Sequence, residues 1–149
     1  MPRLRSILSI LLVLITTLLV SCSDAPKAQI PTTYSPAKIE QLQVFVEPIK
    51  EAREELSELK GYIADLNWVD TRTFIHGPLG QLRQNMLKLS RELLPRDQKE
   101  ATELAKRLFG DFERIDAAAK DRNAYQAQVQ FQEAIRDFDA FLDLIPKAS

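Results

Sequence analysis

Few side chains in this sequence could carry reaction chemistry. Its 149 residues include one cysteine, Cys22, and one histidine, His76. A lone thiol and a lone imidazole exclude an intrachain disulfide and any zinc site built from Cys and His alone. A c-type haem would need Cys-x-x-Cys-His, and a ferritin-like dimetal centre would need two Glu-x-x-His motifs. Neither is present, and the residue three before His76 is Thr73. His76 therefore reads as a half-exposed histidine beside Gly77-Pro78, the rival being an adventitious zinc contact shared with carboxylates. Glu47, Glu51, Glu54, Glu55 and Glu58 could pair as general acid and base in a cleft. They are interleaved instead with Lys50, Arg53 and Lys60 between apolar positions, the pattern of a solvated helix face. No nucleophile elbow, phosphate loop or dinucleotide fingerprint occurs. No catalytic residue, metal ligand or cofactor is expected, and the chain is not read as an enzyme.

The chemistry of Cys22 depends on what precedes it. Arg3 and Arg5 form a short positive start, and Ile7 to Val20 is an uncharged apolar run. Fourteen residues are too few for a permanent span, which takes roughly 20, and they match the apolar core of a secretory leader. The leader ends Leu19-Val20-Ser21-Cys22, which resembles the bacterial lipobox, where the cysteine is acylated and cleavage falls just before it. The rival is an ordinary leader with an incidental cysteine. Residues 1–21 are thus expected to be a lipoprotein signal peptide and Cys22 a lipidation site that anchors the chain to a membrane. Ser23 to Ser35, with Pro26 and Pro31, reads as a flexible tether that could extend about 40 Å.

The rest of the chain must bury itself, and its apolar periodicity says how. Leu42, Ile49, Leu56 and Ile63 recur every seven residues, and Phe45, Ala52, Leu59 and Leu66 repeat the spacing three residues on. Interleaved series of this kind form one stripe on a helix from about Pro36 to Leu66, capped by Ser35 and bent at Pro48. A second stripe, Ile75, Leu79, Leu82, Met86, Leu89 and Leu93, is kinked or delayed by Gly77-Pro78. A third helix, about Asp97 to Lys120, turns Ala101, Leu104, Leu108, Phe112, Ile115 and Ala119 inward, with Asp97 and Glu100 as its capping pair. A fourth, about Asn123 to Ile145, repeats Ala124, Phe131, Phe138 and Ile145, with Ala127, Ala134 and Phe141 between them. Short connections near Asn67–Asp70, Leu94–Arg96 and Asp121–Asn123 make neighbours antiparallel. The expectation is an all-α, up-down-up-down four-helix bundle over residues 36–149, with residues 22–35 as lipidated N-terminus and tether.

Charge is unevenly distributed. With 20 Lys+Arg against 21 Asp+Glu the total is −1, too small a basic content for a nucleic-acid partner. By segment, residues 22–70 hold five basic and nine acidic side chains, residues 71–122 eleven and eight, and residues 123–149 two and four. In an up-down bundle this gives one acidic side and one mildly basic side. Lys88, Arg91, Arg96, Lys106 and Arg114 on the basic side are the candidate docking residues for an acidic protein partner, where charge steers and orients. The rival is scattered surface charge.

Several stretches resemble one family. Trp68, Phe74-Ile75-His76-Gly77-Pro78-Leu79-Gly80, Leu93-Leu94-Pro95-Arg96-Asp97-Gln98 and Asp137-Phe138-Asp139-Ala140-Phe141-Leu142, with the lipobox ending at Cys22, are similar to the PsbQ family. That family is the extrinsic Q subunit of photosystem II, here in its cyanobacterial lipoprotein form. The resemblance implies a four-helix bundle anchored on the lumenal side of the thylakoid membrane. It implies the extrinsic manganese-stabilising subunit and the chlorophyll-binding core subunits as partners. It also implies a non-catalytic role in stabilising the oxygen-evolving complex and supporting calcium and chloride retention. The short tether departs from the longer proline-rich N-terminal region of plant members. Two readings from other classes stand beside this one: an envelope lipoprotein carrying a metal or small ligand in its interior, and an envelope-stress or chaperone lipoprotein with an exposed apolar groove.

Overall fold

The computed structural model describes residues 31–147. The expected leader, Cys22 and the tether up to residue 30 lie outside the described residues. Among the described residues every regular element is helical: α1 (Pro36–Ala64), α2 (Trp68–His76), a single 3₁₀ turn (Pro78–Gly80), α3 (Leu82–Glu92), α4 (Pro95–Lys120) and α5 (Ala124–Asp143). α2, the 3₁₀ turn and α3 together form one interrupted rod, so the architecture is a four-rod bundle. α1 packs between the interrupted rod and α5, and α4 packs between the same two on the other side. This is the neighbour order that short connections impose.

The heptad series explains most of the interior. Leu42, Ile49, Leu56 and Ile63 are all buried, as are Met86, Leu89, Leu108, Ile115, Phe138 and Phe141. One contiguous cluster joins all the rods. The second α1 series is only partly inward. Ala52 and Leu59 are buried, but Phe45 is half-buried, and Val46 takes its place in the core. Leu66 is 53% exposed because the helix has already ended. Pro48 sits inside α1 without ending it. Ser35 caps α1 as its type predicts, its side chain accepting from the Lys38 N–H at 3.2 Å, with Pro36 at the first helical position.

Three boundaries differ from the sequence expectation, each for a local reason. α1 and α4 end in the same turn. Asp65 and Asp121 donate back to Gly61 and Ala117, Leu66 and Arg122 adopt positive φ of 57° and 53°, and Asn67 and Asn123 donate to Tyr62 and Ala118. Each asparagine then caps the next helix, accepting from Asp70 and Gln126. Helix α2 therefore begins at Trp68, where a connection was expected. In the second rod, Gly77 closes α2 by donating to Thr73, and a Cβ there would come within 3.0 Å of that same carbonyl. Pro78 cannot continue the α-helical ladder, so the rod breaks here outright, and Phe74 rather than Ile75 is the buried residue above the break. At the third boundary, Leu94 is held extended by the proline after it, and Pro95 starts α4. Asp97 is thus already inside the helix and is not its cap. The Gln98 amide instead donates to the Arg91 and Leu93 carbonyls that end α3.

The α4–α5 seam holds two buried acids, Asp111 and Asp137. Arg107 reaches Asp137 at 2.9 Å, and Arg114 binds one oxygen of Asp111. The other Asp111 oxygen is buried with no hydrogen-bond partner. Burial pushes the Asp111 carboxyl above its ordinary 3.8, against the pull of Arg114 and with the repulsion of Asp137. An acid raised in this way binds its proton more readily folded than unfolded. Its contribution favours the fold below the unfolded value and is lost as pH climbs through the raised value. Asp111→Asn should therefore raise the melting temperature at neutral pH by a few degrees, worth about 1 kcal/mol. Its advantage over the parent chain should shrink on acidification. Melting curves across the acid range check this, and a lower midpoint at neutral pH would show that the Arg114 contact outweighs the burial.

Candidate docking faces

The four rods share one apolar core, and the candidate docking residues all lie outside it. Lys88 and Arg91 lie on the exposed side of α3, one turn apart. The Lys88 ammonium sits 4.6 Å from the centre of the Phe45 ring on α1, so an apolar residue at the rim of the core holds it in place. Arg91 is exposed and makes no ion pair among the described residues. Arg96, in the first turn of α4, reaches Asp97 at 3.3 Å. Lys106 pairs with Glu103 at 2.9 Å, both largely exposed. Arg114 is committed to Asp111 and Gln130, on the side of α4 that meets α5.

The five cations thus form a spread. Arg96 and Arg114 are eighteen residues apart, on one line of α4 separated by about 27 Å, and Lys106 is turned about 80° from that line. Lys88 and Arg91 belong to a different helix. The structure brings Lys88 and Arg91 together and places Arg96 just across the α3–α4 turn from them. It turns Arg114 away into the α4–α5 seam.

Other charged groups bind the interrupted rod to α4 and were not legible from spacing. The Arg83 guanidinium lies 4.7 Å from the Phe109 ring and reaches Glu113 at 3.1 Å. Arg72 Nε donates to Asp116 Oδ1 at 3.0 Å, and His76 Nε2 lies 2.9 Å from the same oxygen. Burial pushes Asp116 up, but the hydrogen bonds from Arg72 and His76 together outweigh it and hold the carboxyl below its usual value. His76 therefore sits on the outside against one carboxylate. Among the described residues no three His, Cys, Asp or Glu side chains are grouped so as to hold a metal ion. The break at Gly77 leaves a shallow cleft of about 350 Å³ over Phe109 and Phe112.

The end of the bundle where the described chain begins is built by Tyr34. Its hydroxyl donates to Asp97 at 2.7 Å and accepts from the Leu94 N–H at 3.0 Å, tying the segment before α1 to the α3–α4 turn. Lys38 adds a 2.6 Å pair with Glu92, whose carboxyl is held low by that hydrogen bond. Burial, with the Asp97 hydrogen bond, pushes the Tyr34 phenol up to about 12. The hydroxyl therefore keeps its proton throughout the ordinary pH range. The only sequence sign of this clamp was the stretch Leu93–Gln98, whose Asp97 reads equally well as a cap.

Two comparisons bear on what such a surface serves. The family model for PsbQ, oxygen evolving enhancer protein 3, matches residues 3–146 of this chain. The chain is 63% identical over 150 residues to CyanoQ of Synechocystis sp., a match that covers 100% of both proteins.

Loss of the clamp should be visible directly. Tyr34→Phe removes both hydrogen bonds and leaves the Leu94 N–H without a partner, a cost of about 1–2 kcal/mol. Amide exchange at Leu94 and through residues 31–38 should speed up while exchange in the α4–α5 core stays slow. Unchanged exchange at Leu94 would show that the hydroxyl does not hold that end.

Proposed function

This chain belongs to the PsbQ family and is an extrinsic subunit of photosystem II, and from that premise we propose that it works by docking alone, with no reaction of its own. The family sets it on the lumenal side of photosystem II in the thylakoid. There it stabilises the oxygen-evolving complex and supports calcium and chloride retention through the assembly that it helps to hold. Its immediate partners are the manganese-stabilising subunit and the chlorophyll-binding core subunits. Cys22 carries the lipid that keeps the chain at the membrane. Residues 1–21 are removed as the leader, residues 22–35 form the tether, and the bundle that follows does the docking.

The observation that supports docking best is the contrast between an apolar interior and exposed cations outside. Lys88 and Arg91 on α3, with Arg96 across the turn and Lys106 on α4, present positive charge on the net basic side. Arg114 faces away from that side, and its hydrogen bonds to Asp111 and Gln130 hold the α4–α5 seam. A partner with acidic groups would be steered and oriented by this side, with packed contacts supplying the affinity. The carrier reading is not favoured, because membership of this family accounts for the whole chain.

Two measurements test the proposal. The triple variant Lys88→Glu, Arg91→Glu, Lys106→Glu should rebind stripped photosystem II roughly tenfold or more weakly. The parent's binding should weaken with salt and the variant's should not. Equal, salt-independent binding of both would overturn the basic-side docking. Separately, Cys22→Ser should leave the membrane fraction once photosystem II has been washed free of extrinsic subunits. Retention equal to the parent's would overturn the lipid anchor.

A further inference from the structure

Among the described residues four large apolar side chains are exposed: Val44, Leu66, Val69 and Tyr125. Three of the four lie at one end of the bundle, where matched turns close α1 and α4 and open α2 and α5. Leu66 and Val69 share the α1–α2 connection and the first turn of α2. They are 53% and 75% exposed, and neither belongs to the core cluster.

Leu66 is costly where it stands. Its φ of 57° lies in the left-handed region, which glycine adopts freely and a residue with a Cβ does not. Glycine is the common residue at this position after a helix. The bonds that make the turn need only the main chain, Leu66 donating to Ile63 and Asn67 to Tyr62. The matched position after α4 holds Arg122, whose charged head suits water. Leu66 carries the strain of the turn with no burial to offset it.

The charges that flank this pair have one sign. Asp65 and Asp70 are both exposed and make no ion pair among the described residues, and Asp70 accepts from the Asn67 amide at 2.6 Å. The nearest cations along the chain are Lys60, which lines the α1–α5 seam, and Arg72, which is committed to Asp116. The α4–α5 turn at the same end differs, since Lys120, Asp121 and Arg122 give it a net positive charge. A second copy could set that turn, with Tyr125, against Leu66 and Val69, but the area is too small. Four helices, each about 10 Å across, end in a face of roughly 400 Å², half of the ~800 Å² per partner in a standard interface. On a chain already held in photosystem II so small a contact is enough, because linked contacts act at high effective concentration.

We propose that the Leu66–Val69 turn is a separate docking contact, an apolar anchor that seats in an apolar hollow bordered by Lys or Arg on a neighbouring subunit of photosystem II. Asp65 and Asp70 meet those cations and orient the anchor. This goes beyond the basic-side docking argued above, because it gives the chain a second contact of opposite charge at one end of the bundle. It rests on membership of photosystem II and not on which cations dock elsewhere.

The test uses photosystem II and the full chain. Leu66→Gly relieves the left-handed backbone and removes the anchor. It should melt at or above the parent's midpoint yet rebind stripped photosystem II several-fold more weakly. With Val69→Ser added, the loss should reach roughly tenfold. Salt does not screen an apolar contact, so this loss should persist at high salt, where the basic-side variant and the parent converge. Asp65→Lys should weaken rebinding as well. A photoreactive benzoylphenylalanine in place of Val69 should join the chain to another subunit of photosystem II. A lower midpoint for Leu66→Gly would give Leu66 a role inside the bundle and overturn the proposal. Parent-like rebinding by the double variant would overturn it whatever the charge reversal on the basic side does. A photoproduct with a second copy alone, or no photoproduct, would overturn it too.

Discussion

Leucine, isoleucine, phenylalanine and alanine at seven-residue spacing give each rod a stripe that water disfavours, and in this chain the other three rods cover it. Burying a single Leu or Phe side chain is worth roughly 1.5–3 kcal/mol, and the core cluster contains more than two dozen apolar residues. That summed burial fixes the register of the rods and the direction of each turn. Features that depart from ideal helix survive only where they leave this burial intact. The second rod breaks at Gly77, yet Phe74 above the break and Leu79 and Leu82 below it all stay in the core.

Function follows from what that closure leaves over. Side chains that could bind a partner face outward, sorted by sign: α1 and α5 are net acidic, and the interrupted rod with α4 is net basic. The polar ties between rods have different jobs. Arg72 and His76 on Asp116 and Arg83 on Glu113 hold the broken rod against α4, where its backbone cannot do so unaided. Tyr34 and Lys38 hold the entering chain against the α3–α4 turn. Arg53 on Asp139 ties α1 to α5. An extrinsic subunit of photosystem II needs little else: a rigid body and a surface of sorted charge. A point of attachment at Cys22 would complete it.

The fold was legible because period and turn chemistry agreed. Ser35-Pro36 capped α1 as its residue types require, and Gly77-Pro78, expected only to kink or delay the second helix, broke it at that place. What escaped the sequence was of two kinds. The ends of α1 and α4 use non-glycine residues in the left-handed region, Leu66 and Arg122, and nothing in their types announces it. The repeated Asp-x-Asn at 65–67 and 121–123 was the one available sign. The cross-rod pairs escaped because they depend on register and rotation. The spacing Leu104, Leu108, Asp111, Ile115 runs straight through the core side of α4, so an acid there looks like an interruption until Arg114 is seen beside it. The basic side was visible as a net charge, whereas the turn of Arg114 into the α4–α5 seam and the cradle of Phe45 under Lys88 required the packed helices.

Thermal melting of the isolated chain during separate titrations with calcium and with chloride probes the closed interior most directly. A group that binds only the folded state raises the midpoint in a saturable way. If the rods hide their stripes in one another and recognition is confined to the outside, the midpoint will move only as general ionic strength moves it. A saturable, ion-specific rise would reveal a built site within the bundle and contradict the account.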